Sequence, residues 1–255
     1  MHFYRFFYYT FCRVKCKHFC RLRVEQHVKF QYNNYGIDWR ESQMKPSLCH
    51  LTPLRADIVS TAQRAYHSGL MAGTSGNLSC YDPESGCMAI TPSNMDYSVM
   101  TPEDIVLMQL DGTVLDGGKP SSEWKMHAEL YQNLPEVRAV VHTHSPNATA
   151  YAVLRREIPC VLVEMLLFLG GSIEVAAYAA QGSAAVGTHC LPILRRKPAC
   201  LLANHGVVTT GATLEQAYTN SIYVEDSAKI VRLAMSTGSP IPAVIDEEGS
   251  KPYHE

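Results

Sequence analysis

The stretch AVVHTHSPNATA, from Ala139 to Ala150, joins an apolar, β-branched run to two histidines. Successive side chains of a strand alternate between its two faces, so His142 and His144 would project to the same side, roughly 7 Å apart along the chain. Two imidazoles so placed can bind one metal ion, although histidines at strand ends are more often satisfied by neighbouring groups. The stretch therefore predicts a strand, and a metal site there depends on further ligands.

Two other stretches offer such ligands. ACLLANHGVVTTG, residues 199–211, has a similar build, with an apolar run, then His205, then a glycine where the chain leaves the strand. KPSSEWKMHAELY, residues 119–131, places Glu123 at the predicted start of a helix. Three imidazoles and a carboxylate form the ligand set of a catalytic zinc site that keeps a position open for substrate or water.

Charge and aromatic residues divide the chain into two parts. Residues 1–48 hold nine Lys/Arg and three Asp/Glu, a net charge of +6, whereas the whole chain has −2, which leaves −8 for residues 49–255. Six of the seven Phe also lie before residue 31. We predict that residues 1–48 are a poorly ordered basic, aromatic extension and that residues 49–255 form one catalytic domain with a sizeable core.

The front segment matches no common targeting signal. It lacks the long apolar run and small-residue cleavage site of a secretory signal, and no stretch approaches the roughly 20 apolar residues of a membrane-spanning helix. Its basic character leaves a membrane-surface or nucleic-acid arm as the alternative, but we expect neither partner. The nine cysteines are odd in number and show no paired spacing, which favours a reducing, cytoplasmic setting.

The remaining elements alternate between helix and strand. Thr52 and Pro53 suit the start of an amphipathic helix, Asp111-Gly112 is a hairpin signal, and residues 214–235 predict the longest helix. A hairpin and short spacings do not suit a pure series of parallel βαβ units. We predict an α/β domain built in layers on a mixed, largely antiparallel sheet.

Five motifs together resemble the class II aldolase/adducin family, and most of all its L-fuculose-phosphate aldolase branch. They occur in order: GTSGNLS (73–79), ITPSNMDY (90–97), PSSEWKMH (120–127), VVHTHSPN (140–147) and LLANHGVV (201–208). The resemblance covers residues 50–245 and implies a three-layer αβα domain. Five ordered motifs are far more specific than any one of them.

The resemblance also implies a site and an activity. His142, His144 and His205 would bind zinc or a similar divalent cation, one per subunit, and Glu123 would be both a potential fourth ligand and the acid/base. The phosphate of a sugar substrate would bind at Thr74, Gly76, Asn77, Ser93, Asn94, Ser121 and Ser122. Such enzymes are usually cyclic homotetramers whose active sites lie at subunit interfaces. The implied reaction is cleavage of a short ketose 1-phosphate, similar to L-fuculose 1-phosphate, to dihydroxyacetone phosphate and an aldehyde.

The phosphate assignment has physical support and an ordinary alternative. Ser121 and Ser122 precede a predicted helix, whose free N–H groups and dipole favour an anion. Serines before a helix and a Gly/Ser/Thr loop also occur as a common helix start and turn. His127, one helical turn after Glu123, similarly either supports the site or packs as a core histidine.

Two tyrosines of the aldolase branch have no clear counterpart. One would align at Val163, which cannot donate a proton, and Tyr253 stands for the other only by its position near the C-terminus. Three alternatives therefore remain within the family. A 4-epimerase branch carries aspartate where this chain has Glu123, a methylthioribulose-phosphate-type dehydratase would use the same metal, and a non-catalytic adducin-like module would lack the histidines.

Overall fold

The computed structural model describes residues 48–239 and residue 241. The predicted extension lies outside the described residues except for Leu48, and so does Tyr253. Over the described part of the chain, no helix is both long enough and apolar enough to cross a membrane.

The described residues contain six α-helices and eight strands. The helices are α1 (Thr52–His67), α2 (Trp124–Asn133), α3 (Pro146–Leu154), α4 (Val163–Leu169), α5 (Ala184–Leu194) and α6 (Leu214–Met235). The strands are β1 (Asn77–Asp82), β2 (Cys87–Ile90), β3 (Val106–Gln109), β4 (Val114–Asp116), β5 (Ala139–Thr143), β6 (Val175–Ala176), β7 (Ala199–Leu202) and β8 (Gly206–Gly211). Short 3-10 turns occupy Leu48–Leu51 and Pro102–Asp104.

All eight strands form one sheet in the order β4-β3-β2-β1-β5-β8-β7-β6. Only β6 and β7 pair in parallel, and every other neighbouring pair is antiparallel. The predicted hairpin joins β3 to β4, where Gly112 adopts a φ of 99° and the Asp111 side chain accepts from the backbone of Thr113. The mixed, largely antiparallel sheet is therefore confirmed.

Helices cover both faces of this sheet. Val140 and Val141 of β5 point to opposite faces, as strand alternation requires. Val140 packs in a core with α2 and α5, whereas Val141 packs in a core with α1 and the start of α6. A third cluster, on the β7–β8 side, joins α3, α4 and α6. The predicted three-layer αβα arrangement is confirmed, and β5 is buried along its whole length.

The ends of two helices test the sequence signals. The bounds of α6 coincide with the predicted residues 214–235, and the Thr213 hydroxyl accepts from Gln216 N at 3.1 Å. The predicted helix start at Thr52 and Pro53 is confirmed, although Leu51 and not Thr52 stands at the cap position. The 3-10 turn Leu48–Leu51 leads directly into α1, so helical backbone geometry begins before Thr52.

Candidate metal and acid-base site

His142 lies in β5, a strand that is buried along its whole length. It is the fourth residue of β5, and its neighbours across the sheet are Asn77 of β1 and Val208 of β8. Its Nδ1 lies 2.8 Å from the backbone oxygen of Val207. Because a carbonyl oxygen can only accept, Nδ1 carries a hydrogen, so Nε2 is the ring nitrogen that faces the site as a potential metal ligand.

His205 reaches the same point from the turn between β7 and β8. Its backbone N–H bonds the carbonyl of Leu202 at 3.0 Å, which tightens the turn. Gly206 follows, and a Cβ there would lie 2.4 Å from the backbone oxygen of Thr143 and 3.2 Å from the rings of both His142 and His144. A glycine is therefore needed at position 206 for the end of β5 and the β7–β8 turn to bring their histidines together.

Glu123 closes the group from the start of α2. It stands at the cap position of that helix and is 3% exposed. Its Oε2 lies 3.0 Å from Nε2 of His142 and accepts a hydrogen bond of 2.9 Å from the amide of Asn77. Its Oε1 lies 3.3 Å from Nε2 of His205.

The four side chains form a compact set of metal-ligand atoms. One ligand atom from each of Glu123, His142, His144 and His205 lies within 4.8 Å of the others. Nε2 of His142 and Nε2 of His144 are 3.0 Å apart, and two atoms bound to one zinc ion at about 2.0–2.1 Å lie roughly 3.3 Å apart in tetrahedral geometry. Glu123 Oε1 and His205 Nε2 are buried and have no hydrogen-bond partner. A shared divalent cation accounts for both atoms, so these residues fit a metal ion.

The protonation states favour the same interpretation. Burial, followed by the charges of His142 and His205, lowers the pKa of His144 to about 4. Burial and the charge of His142 also lower the pKa of His205. Burial acts to raise the pKa of Glu123, but the imidazoles of His142 and His205 and the Asn77 amide hold it well below its usual value. The lowered pKa values favour neutral His144 and His205 and an ionised Glu123, which are the forms that bind metals.

The predicted phosphate-binding residues lie on three segments that the structure brings together. The hydroxyl of Thr74 donates to Asn94 Oδ1 at 3.0 Å, Ser93 N donates to Lys119 O at 3.0 Å, and Ser121 N donates to Thr91 O at 3.0 Å. Gly76 has a φ of 83°, and a Cβ there would lie 2.8 Å from the carbonyl oxygen of His142. The loops are thus joined next to the metal-ligand group.

Within these segments the side chains differ in what they offer. Thr74, Asn94 and Ser122 are exposed, whereas Ser121 is buried and its oxygen accepts from Glu123 N at 3.3 Å. The side chain of Asn77 is buried and faces Glu123 rather than solvent. A phosphate site here stays a prediction, and its exposed polar side chains are those of Thr74, Asn94 and Ser122.

Sequence reasoning missed the partners of Glu123. It assigned Asn77 only to phosphate and left His127 undecided, yet these two side chains are hydrogen-bonded to each other and lead to Glu123. It also missed Tyr97, whose hydroxyl donates to the Gly76 carbonyl at 2.7 Å and fixes the loop before β1. Asn77 and Ser79 share one face of a strand and His127 and Tyr131 share one face of a helix, so their spacing was the available signal.

The chain belongs to the class II aldolase and adducin family. The family's model, described as the Class II Aldolase and Adducin N-terminal domain, matches residues 56–231. This match confirms the resemblance read from the five motifs.

Individual relatives are aldolases by name. The 5-deoxy-D-ribulose 1-phosphate aldolase of Bacillus thuringiensis is 36% identical over 73% of this chain and 87% of its own. The 5-methylthioribulose-1-phosphate/5-deoxyribulose-1-phosphate aldolase of Rhodospirillum rubrum is 38% identical over 69% of this chain and 79% of its own. A solved structure of L-fuculose 1-phosphate aldolase is 34% identical, covers 77% of this chain and 92% of its own, and superposes with a TM-score of 0.73.

Proposed function

We propose that this chain is a metal-dependent aldolase that cleaves a short ketose 1-phosphate, similar to L-fuculose 1-phosphate, to dihydroxyacetone phosphate and an aldehyde. The observation that carries the proposal is the group of four ligand atoms within 4.8 Å, two of them buried without a hydrogen-bond partner. Zinc is the proposed ion, one per subunit, because three imidazoles and a carboxylate are ligands that it commonly takes in catalytic sites.

The chemistry needs an electrophile and one proton carrier. A bound divalent ion supplies Lewis acidity toward the negative charge that develops when the C3–C4 bond breaks. Cleavage removes the hydrogen of the C4 hydroxyl and adds one to C3, so the net change is the transfer of one proton. Glu123 is the ionisable carboxylate of the group, and we assign it the transfer of that proton.

The phosphate would bind beside this group. The exposed groups of Thr74, Asn94 and Ser122 and the start of α2 provide hydroxyl, amide and backbone N–H donors. Binding the phosphate there would fix one end of the substrate, so that the reacting carbons lie next to Glu123.

A 5-deoxypentulose 1-phosphate is the second candidate substrate. The two relatives from Bacillus and Rhodospirillum are named for 5-deoxyribulose phosphates. Val163 stands where the fuculose branch would have a tyrosine, and its side chain cannot hydrogen-bond a hydroxyl at the aldehyde end. A methyl-ended aldehyde product needs no such contact.

The other family activities have less support. An adducin-like binding module predicts loss of the metal ligands, but His142, His144 and His205 converge with Glu123. An epimerase of the family would carry aspartate at position 123. Product analysis distinguishes the aldolase from both the epimerase and the dehydratase, because only the aldolase releases dihydroxyacetone phosphate.

The first experiment is elemental analysis of the purified chain and of His142→Ala. We expect about one zinc per chain, falling with the substitution because the ligand set becomes incomplete. Absence of metal from the native chain after zinc is supplied would contradict the proposal.

The second experiment follows the zinc-loaded protein with L-fuculose 1-phosphate and 5-deoxyribulose 1-phosphate. Release of dihydroxyacetone phosphate, measured with a coupled dehydrogenase, identifies the activity and ranks the two substrates by kcat/KM. No release from either sugar phosphate would contradict the aldolase assignment.

We also propose that the chain forms a homo-oligomer, a tetramer by family resemblance, in a reducing cytoplasmic setting. Val163, Leu167 and Phe168 of α4 are 57%, 46% and 46% exposed, which supports burial of this apolar face against another copy. Cys80, Cys87, Cys160, Cys190 and Cys200 are free thiols, which supports the reducing setting. Light scattering coupled to gel filtration gives the mass that tests the subunit number.

A further inference from the structure

A buried chain of hydrogen bonds leads from the core to Glu123. Tyr131 OH lies 2.7 Å from Ser79 Oγ, which lies 2.6 Å from His127 Nδ1. His127 Nε2 lies 2.5 Å from Asn77 Oδ1, and Asn77 Nδ2 lies 2.9 Å from Glu123 Oε2. All five residues are buried, so water does not compete for these contacts.

The chemistry of the groups fixes the direction of the hydrogen bonds that join Glu123, Asn77, His127 and Ser79. An ionised carboxylate only accepts, so the NH₂ group of Asn77 faces Glu123 and its oxygen faces His127. His127 Nε2 must therefore carry a hydrogen and donate it to Asn77. A neutral imidazole has one such hydrogen, so Nδ1 accepts from the Ser79 hydroxyl. The Tyr131 hydroxyl lies 2.7 Å from Ser79 Oγ and 2.9 Å from the Ser79 carbonyl oxygen, and its one hydrogen is shared between these two acceptors.

Burial keeps His127 in this neutral form. His127 is fully buried, and burial followed by the charge of His142 lowers its pKa to about 3. The opposite tautomer would place the Nε2 lone pair against the oxygen of Asn77. It would then favour a flipped Asn77 amide whose oxygen faces the carboxylate of Glu123.

We propose that His127 is a positioning residue for the proposed lyase reaction: through its Nε2–H it fixes the Asn77 amide, which holds the Glu123 carboxylate in line with the three histidines. The inference rests on the proposed function for its role, and on the described contacts for its geometry. Glu123 Oε1 has no hydrogen-bond partner, so the hydrogen bond from Asn77 to Oε2 is the one that orients the carboxylate. His127 and Tyr131 lie one and two turns beyond Glu123 on the same side of α2, which makes the support rigid.

Two substitutions at position 127 distinguish positioning from packing. His127→Leu fills the space without an N–H group, whereas His127→Gln keeps an N–H close to the place of Nε2. We expect His127→Leu to lower kcat by about 10- to 100-fold, as for other groups that orient a metal ligand, with metal content and KM little changed. His127→Gln should recover most of the lost kcat. Full activity of His127→Leu, or equal loss in both variants, would overturn the proposal.

A second measurement does not depend on activity. In metal-free protein labelled with ¹⁵N-histidine, long-range ¹⁵N–¹H spectra show which nitrogen of His127 carries the hydrogen, and the signal is assigned by its absence in His127→Gln. We expect a neutral ring protonated at Nε2. A hydrogen on Nδ1 would overturn the positioning role. An inactive native enzyme with the hydrogen on Nε2 would instead contradict only the proposed function.

Discussion

The two oxygens of Glu123 have different surroundings. Oε2 is held by Asn77 and lies next to His142, whereas Oε1 faces His205 without a hydrogen-bond partner. The hydrogen bond to Oε2 fixes the orientation of the carboxylate, and Oε1 is left available to bind a metal ion or a proton. Its removal should therefore affect chemistry more than the fold.

Glu123→Gln tests that expectation. A glutamine cannot carry the proton, so we expect kcat to fall by about 10²- to 10⁴-fold while the three histidines still retain metal. The release of dihydroxyacetone phosphate and the metal content of the same sample measure the two effects. His144→Ala is the matched variant and should lose the metal itself. An active Glu123→Gln enzyme would show that another group moves the proton.

Gly206→Ala tests the close approach of the two histidine-bearing segments. The added Cβ would lie 2.4 Å from the backbone oxygen of Thr143, so the backbone must shift. We expect the free energy of unfolding to fall by roughly 1–3 kcal/mol, together with lower metal content. Gly118→Ala is the control, because a Cβ there meets nothing within 4 Å. Denaturant unfolding and elemental analysis of both variants check this, and equal behaviour of the two would count against a special role for Gly206.

Much of the candidate site could be predicted at the level of residues, but the hydrogen bonds could not. His142, His144, His205 and Glu123 carry recognisable motifs, and the structure brings them together. The contact between Asn77 and Glu123 joins positions 46 apart in the chain. Its existence depends on how α2 lies across β1, and no local pattern determines that placement.

At the scale of elements, the start of α6 offers a local test. The Thr213 hydroxyl satisfies Gln216 N, one of the backbone donors that the helix itself leaves free. We expect Thr213→Ala to lower the free energy of unfolding by about 1 kcal/mol without loss of metal. Thr213→Ser should keep nearly all of the native free energy of unfolding. Thermal or denaturant unfolding measures both, and equal losses in the two variants would show that the hydroxyl has no capping role.

The helices and strands differed in how well their type and bounds could be predicted from the sequence. The bounds of α6 followed from a long periodic pattern with a cap before it and Gly238 after it. Residues 158–171 had no clear period, and their structure combines the short helix α4 with irregular backbone and one isolated bridge at Ile158. Val163, Leu167 and Phe168 face outward there, so the apolar composition does not report burial within one chain. Contact with another copy of the chain would bury these side chains, and the hydrophobic periodicity of one chain does not distinguish such a surface from its core.

For the whole molecule, buried histidines make stability depend on pH. The folded pKa of His127 is about 3, whereas an unfolded chain has the ordinary value near 6.5. Between these values the unfolded state binds more protons, so the free energy of unfolding falls as pH decreases below about 6.5. One such group contributes a slope of up to about 1.4 kcal/mol per pH unit. Unfolding of metal-free protein from pH 7 to pH 4 should therefore show a shallower slope in His127→Gln, and identical slopes would contradict a neutral, buried His127.

The positions of the ligands along the chain bear on the order in which the protein folds and acquires its metal. Glu123 and His205 are 82 positions apart, and His142 reaches the site only when β5 has paired with β1 and β8. A nascent chain must close these long loops before any ion meets a complete set of donors, unlike a zinc finger, whose ligands are neighbours in sequence. We therefore expect folding to precede metallation. A chelator should remove the ion and leave the far-ultraviolet circular dichroism spectrum unchanged, and the apo form should take up zinc again without refolding.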